Sequence, residues 1–232
     1  MNNKNINELE DIIGYKFKDI ELLYTAITHS SYSFEHKISV SQNYERTEFL
    51  GDAVLELVSS DFLFFNHKDL PEGKLTRMRA SMVCESTLAI CAKEIGLNDF
   101  IRLGKGEEKT GGRERNSIVS DVCEAVIGAI YLDGGYDEAK KFIYRFILND
   151  IENKQLFVDS KTILQELCQE KYGHTPVYEI AGESGPDHDK RFICNAIIND
   201  EVYANGEGSS KKSAEQVAAF NALMKMQNKS IK

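Results

Sequence analysis

The sequence predicts an all-α domain over residues 1–151 and a small α+β domain over 160–229, joined by a connector at 152–159. Two observations carry this reading. Through residues 1–150 apolar side chains recur at helical spacing, punctuated by glycine and proline. After residue 151 the pattern changes to one helical run, three short runs rich in β-branched and aromatic residues, and a closing helical run. A chain of 232 residues, 42% hydrophobic and 28% charged, has room for one large or two small globular domains.

The elements follow in order. Ile6, Leu9, Ile12 and Ile13 form a short amphipathic stretch that Gly14 stops. Asp19 caps a helix through Ile20, Leu23 and Ile27. A long run opens at Glu45 and continues into Asp61-Phe62-Leu63-Phe64-Phe65. Pro71 suits the first turn of a helix through Leu75, Met78 and Met82. Leu88, Ile90, Cys91 and Ile95 mark another helix, which stops at Gly96. GKGEEKTGGRERN (104–116) reads as a polar, glycine-rich loop. Helices resume over 117–132 and 136–150. In the C-terminal part SKTILQELCQEKYG is a helix with Ser160 or Asp159 as cap and Gly173 as stop. PVYEIAG, RFICNAIIN and EVYANG are strands, and SSKKSAEQVAAFNALMKM closes as a helix.

The formal net charge is −9, yet the segment from Ser160 onward holds 9 basic and 10 acidic residues, so the acidity sits almost wholly in the first part. Overall acidity argues mildly against a nucleic-acid partner but leaves local basic patches open. The five cysteines form no CxxC pair and have no His cluster beside them, which fits reduced, mostly buried thiols in the cytosol and argues against zinc. MNNKNINELEDIIG is polar and acidic, unlike a signal peptide, and no apolar run reaches membrane-spanning length. A cytoplasmic protein without membrane partners is expected.

Two acid patterns bear on chemistry. In ERTEFLGDAVLEL (45–57), Glu45, Glu48, Asp52 and Glu56 fall within an arc of roughly 80° on a helix. Apolar residues cover most of the remaining circumference, which predicts a buried helix whose acids need compensating charge or a wet cleft. In SIVSDVCEAVIGAIYL (117–132), Asp121 and Glu124 share a face among Val119, Val122, Val126, Ile127 and Ile130. Each pair is open to reading as a separate solvated groove. If the two helices pack together, Glu48, Asp52, Asp121 and Glu124 converge. Clustered carboxylates without His or Cys suit Mg²⁺ or Mn²⁺, and such ions activate water and polarise phosphoryl oxygens.

ERTEFLGDAVL (45–55) resembles the signature of bacterial ribonuclease III. ITHSSY (27–32), PEGKLTRMRA (71–80), LGKGEEKTGGRERNSIVSD (103–121) and EAVIGAIYLDGGY (124–136) resemble further landmarks of that family, in its order. The last 70 or so residues resemble its double-stranded RNA-binding domain, most closely at GEGSSKKSAEQVAA (206–219). The resemblance implies an all-α catalytic domain of the ribonuclease III fold, acting as a homodimer, plus an α-β-β-β-α double-stranded RNA-binding fold. It implies Mg²⁺-dependent hydrolysis of both strands of an RNA duplex, with Mn²⁺ able to substitute, leaving 5′-phosphates and short 3′ overhangs. Ribosomal RNA precursors and structured messages are the expected substrates. Glu48, Asp121 and Glu124 would bind metal. Asp52 would complete the acidic centre by holding metal-bound or nucleophilic water, and Glu124 would help position the attacking water. Glu45 and Glu72 resemble other acids of the family's dimeric catalytic valley, and Glu56 reads as a solvated-face residue.

In the C-terminal domain the resemblance places Thr162, Gln165 and Glu166 at one minor groove, His188 at the next, and Lys211 and Lys212 on phosphates between them. Lysines at a helix N-terminus add to a positive dipole end, which favours a bound anion. Glu215 stands where some related domains carry a third basic residue, and is expected to weaken phosphate contact. Thr47 stands where the family usually has Leu; it faces away from the acid stripe and is expected to affect packing or the subunit contact. Gly51 costs about 1 kcal/mol relative to Ala inside a helix. Close approach of a neighbouring backbone, with the family's dimer contact as candidate, would account for it. Arg77, Arg79, Lys105, Lys109, Arg113 and Arg115 are expected in part to flank the acidic valley, and His29 to be a hydrogen-bonded packing residue. Two rival functions stand beside the nuclease: a duplex-binding protein that does not cut, and a small-nucleotide phosphohydrolase. The four carboxylates weigh against the first, and the RNA-binding module and the lack of a His-Asp metal motif against the second.

Overall fold

The computed structural model describes residues 5–39, 42–149, 156, 160–185, 190–208 and 210–230. The chain divides into two compact units, Met1–Ile151 and Glu152–Lys232. Except for Leu156, the expected connector 152–159 lies outside the described residues, as do Asp159 and His188.

The first unit is helical: α1 Ile6–Ile13, α2 Ile20–Ala26, α3 Ser30–Glu35, α4 Glu45–Asn66, α5 Glu72–Met82, α6 Glu85–Glu94, α7 Lys105–Lys109, α8 Asn116–Gly134 and α9 Tyr136–Phe146. Short 3₁₀ turns lie at Leu97–Phe100 and Gly112–Glu114. Local signals fix several ends. The Asn5 side chain accepts from the Asn7 N–H at the start of α1, and the Asp19 carboxylate accepts from the Glu21 N–H at the start of α2. Gly14 and Gly96 follow helices in the left-handed conformation. Pro71 is the N-cap of α5, one residue before its first turn.

Helix α8 forms the middle of the unit, with Val119, Val122, Ala125, Val126, Ile127 and Ile130 all buried. It packs along α4 and also meets α2, α6 and α9. Leu9, Leu23, Leu55, Val58, Leu88 and Ile143 complete the core around it.

The structure departs from the sequence expectation in three places. Residues 104–116 are not simply a loop, since they hold α7 and a 3₁₀ turn. Arg113 bonds both oxygens of Glu108, at 2.9 and 2.5 Å, and Arg115 Nη1 bonds Glu107 Oε1 at 2.6 Å. Ion pairs, not apolar burial, shape this segment, so no hydrophobic periodicity announced it. The helix at 117–132 runs longer, over Asn116–Gly134, and the next ends earlier, at Phe146. Within this chain α4 is not buried all round. It buries Thr47, Gly51, Val54, Leu55, Val58, Ser59 and Leu63, but Phe49 is 81% exposed, and Leu57 and Phe64 are exposed too.

The second unit has the order α10 (Ser160–Tyr172), β1 (Val177–Ser184), β2 (Arg191–Ile198), β3 (Glu201–Gly208), α11 (Lys211–Ser230). The three strands form an antiparallel sheet with β2 in the centre. Cys194, Ala196 and Ile198 alternate along β2 and point into the core with Leu164 and Cys168 of α10 and Ala214, Ala218, Ala222 and Leu223 of α11. Ser160 opens α10 with its hydroxyl buried, donating to the Gln216 carbonyl at 3.1 Å.

Candidate active site and RNA-binding residues

The acid stripes of α4 and α8 meet because their backbones approach closely. A Cβ on Gly51 would collide with the Glu124 carbonyl, and one on Gly128 would collide with the Thr47 carbonyl. The two glycines thus lie at one crossing. This places the close approach of Gly51 inside the chain, not at a subunit contact. Thr47 also faces α8: it is 7% exposed, and its hydroxyl donates to the Tyr44 carbonyl at 2.8 Å.

At the crossing, one ligand atom each from Glu48, Asp121 and Glu124 lies within 4.8 Å of the others. This is the one such group of three or more His, Cys, Asp or Glu among the described residues. Asp52 is exposed and lies outside that triad, but its charge acts on both Glu124 and Glu48. Glu45 is exposed at the start of α4. Glu56, further along the stripe, is matched by Arg79 at 3.1 Å. Glu72 is exposed in the first turn of α5 and accepts from Thr76.

The centre is short of positive charge. Burial, then the charges of Asp52, Glu48 and Asp121, push the Glu124 carboxyl up to about 8. Burial and the charges of Asp121, Glu45 and Asp52 push Glu48 up to about 7. Burial also raises Asp121, against the opposing hydrogen bond from Tyr44.

Tyr44 is a site residue that the sequence reading missed. It is 4% exposed, and its hydroxyl donates to Asp121 Oδ2 at 3.2 Å. Burial and the Asp121 charge raise its phenol, which keeps it a donor. Its backbone N–H donates to the Thr28 carbonyl at 2.9 Å, and the His29 ring lies 5.6 Å from its own. His29 Nδ1 accepts from the Ser31 N–H and caps α3. The available signal was Tyr44's place directly before the acid run.

Of the six basic residues, Arg79, Lys105, Arg113 and Arg115 pair locally with Glu56, Glu35, Glu108 and Glu107. Their charge is taken up by those partners. Arg77 and Lys109 are exposed.

In the second unit Thr162, Gln165 and Glu166 are exposed on one face of α10, and Lys211 and Lys212 are exposed in the first turn of α11. Glu215 is half-buried, with its Oε2 2.6 Å from Lys161 Nζ. All five cysteines are free, Cys84 being half-buried and the others buried. Among the described residues no helix is long and apolar enough to cross a membrane.

A helical unit with an oxygen-donor centre, followed by an α-β-β-β-α unit with lysines at a helix N-terminus, defines a nuclease class with an appended RNA-binding module. Residues 19–151 match the family model described as Ribonuclease-III-like, and residues 160–226 match that of the double-stranded RNA binding motif. The chain is 48% identical to the Ribonuclease 3 of Natranaerobius thermophilus, over 96% of this chain and 97% of that one. It is 47% identical to the Ribonuclease 3 of Listeria monocytogenes, over 93% and 95%. The nuclease domain of ribonuclease III from Campylobacter jejuni is similar in structure, with TM-score 0.58 and 44% identity over 62% of this chain and 97% of that one. The chain belongs to the ribonuclease III family of double-strand-specific endoribonucleases. That family generally uses divalent metal, and the oxygen-only donor set of Glu48, Asp121 and Glu124 fits a hard cation.

Proposed function

We propose that this protein hydrolyses phosphodiester bonds in both strands of an RNA duplex with Mg²⁺, Mn²⁺ substituting, and leaves 5′-phosphates and short 3′ overhangs. The observation that carries the reading is the meeting of Glu48, Asp121 and Glu124 across the α4–α8 crossing. Glu48, Asp121 and Glu124 would hold the cation, which when bound would supply Lewis-acid polarisation of the phosphoryl group and charge stabilisation at the leaving oxygen. Asp52, exposed beside the triad, accepts a hydrogen bond from the attacking water, and Glu124 helps aim it. Tyr44 fixes the Asp121 carboxylate. Glu45 and Glu72 are further acids of the same valley.

The exposed stripe of α4 supports a homodimer through the catalytic domain. On a helical wheel Phe49, Ala53, Leu57 and Phe64 lie within roughly 80° of one another, and the acids run between this stripe and the buried face. A second copy seated on the stripe would turn the acid line into the wall of a valley. Dimer formation is described for the Campylobacter jejuni nuclease domain. The second unit supplies duplex binding through Thr162, Gln165, Glu166, Lys211 and Lys212, with His188 as a further contact. Ribosomal RNA precursors and structured transcripts in the cytoplasm are the proposed substrates.

The test compares the wild type and Glu124→Gln on a labelled RNA duplex, with Mg²⁺ and with chelator. Cleavage by the wild type should require metal. The variant should keep duplex affinity and lose cleavage by at least about 100-fold, as expected for loss of a metal ligand or its support. A variant that cuts at the normal rate overturns the role of Glu124, and a wild type that binds without cutting overturns the nuclease reading.

A further inference from the structure

The proposed RNA-facing groups of the second unit stand on two different helices. Thr162, Gln165 and Glu166 belong to α10; Lys211 and Lys212 belong to α11. These helices are tied together at the start of α10 by adjacent residues. The buried Ser160 hydroxyl donates to the Gln216 carbonyl at 3.1 Å. Next to it, Lys161 Nζ lies 2.6 Å from Glu215 Oε2 and 4.8 Å above the ring of Tyr178. The Lys161 side chain is 36% exposed and that of Glu215 28%, so the pair is partly withdrawn from water. Such a pair resists salt better than an exposed one, and it leaves a mismatched charge behind if either partner is lost.

We infer that the Lys161–Glu215 ion pair is a positioning device for duplex recognition, which holds the exposed face of α10 at a fixed spacing from the N-terminal lysines of α11. This rests on the RNA-binding role proposed for those two groups. An A-form duplex presents its minor groove and its phosphates at a set separation. Two contact groups on one rigid frame meet both together, and little ordering remains to oppose binding. Charge alone leads to the opposite expectation. On that view Glu215 repels phosphate, and lysine in its place would add a contact. In the structure the Glu215 carboxylate is already matched by Lys161, so Glu215→Lys sets two ammonium groups against each other where the helices meet.

The test measures affinity of the full chain for a labelled RNA duplex in chelator, so that no cleavage intervenes. The variants are Glu215→Lys, Glu215→Gln, Lys161→Glu and the charge swap Lys161→Glu/Glu215→Lys, each checked for fold by circular dichroism. Glu215→Lys should bind about three- to tenfold more weakly despite its added positive charge, a usual size for coupling between contacting charges. The swap should recover to within about twofold of wild type. Glu215→Gln, which removes the pair without a clash, should raise KM for duplex cleavage in Mg²⁺ and leave kcat unchanged. Tighter binding by Glu215→Lys, or a folded swap that does not recover, overturns the inference. A Lys211→Ala/Lys212→Ala variant with undiminished affinity overturns the underlying RNA assignment instead.

Discussion

Gly51 of α4 and Gly128 of α8 face each other across one helix crossing, each lying where a side chain would strike the other helix's backbone. The acidic centre exists because of this pair. Glu48 and Asp52 flank Gly51 in sequence, and Glu124 precedes Gly128 by four residues, about one helical turn. Alanine normally stabilises a helix interior by about 0.5–1 kcal/mol over glycine. Here the sign reverses. Gly51→Ala and Gly128→Ala should each destabilise the first unit by about 1–3 kcal/mol, the usual range for overpacking. Thermal unfolding checks this. An unchanged or raised Tm in either variant would mean that the helices have room to separate.

Tyr44→Phe tests support for the acidic centre without changing its charge. The hydroxyl is the donor to Asp121 Oδ2, and the ring is buried in the core. For a carboxylate that holds metal, the role proposed for Asp121, loss of such a donor typically costs about 10–100-fold in metal affinity or activity. Mn²⁺ titration by calorimetry should show weaker binding by that order, with the metal-free Tm little altered. Equal affinity in the two proteins would leave Tyr44 as packing alone.

The raised carboxyls predict a pH dependence of stability in the metal-free protein. An ordinary Glu titrates near 4.3 when unfolded. The folded values for Glu48 and Glu124 are about 7 and about 8. Between those limits the folded state binds more protons than the unfolded, so stability falls as pH rises. The contribution is present below about pH 4.3 and is lost progressively up to about pH 8. Glu124→Gln mimics the protonated form and removes part of the loss. At pH 8 without metal it should unfold at a higher temperature than wild type, by about 2–4 °C for each kcal/mol relieved. Divalent metal should raise the wild-type Tm at pH 8 and raise the variant's much less. A wild-type Tm rising from pH 5.5 to 8 without metal would contradict this direction for the acidic centre.

The acid spacings made the α4 and α8 stripes legible, because 3- and 4-residue steps return to one helix face. The order helix, three strands, helix was equally open to reading, since PVYEIAG, RFICNAIIN and EVYANG are rich in β-branched and aromatic residues and separated by turn residues. Other features left no local pattern in the sequence. Segment 104–116 is held by ion pairs, which leave no apolar period. The Tyr44–Asp121 bond joins positions 77 apart, so no local pattern announces it. The partner of Glu215 lies 54 positions away on another helix, so neither local spacing nor the family resemblance announced the ion pair. Phe49 and Leu57 read as core because helical spacing alone does not tell an exposed apolar face from a buried one.

Phe49, Ala53, Leu57 and Phe64 share an exposed face, whereas Glu48 and Asp52 lie between that face and the one packed on α8. An exposed apolar stripe of this kind, on a helix already packed on its other side, fits the homodimer surface proposed above. If a second copy covers it, Leu57→Asp would place an unpaired charge in the interface. That typically costs several kcal/mol on binding and should shift the protein from dimer to monomer at micromolar concentration. Sedimentation should then report one chain, and circular dichroism should report unchanged helix content, because Leu57 is 58% exposed within its own fold. Cleavage should fall with dimer content, because only a covered stripe gives the acid line its second wall. Mn²⁺ binding should survive, because the proposed ligands Glu48, Asp121 and Glu124 all come from one chain. A variant that stays dimeric removes the stripe as the interface, and a monomer that cuts duplex at the wild-type rate removes the need for the second wall.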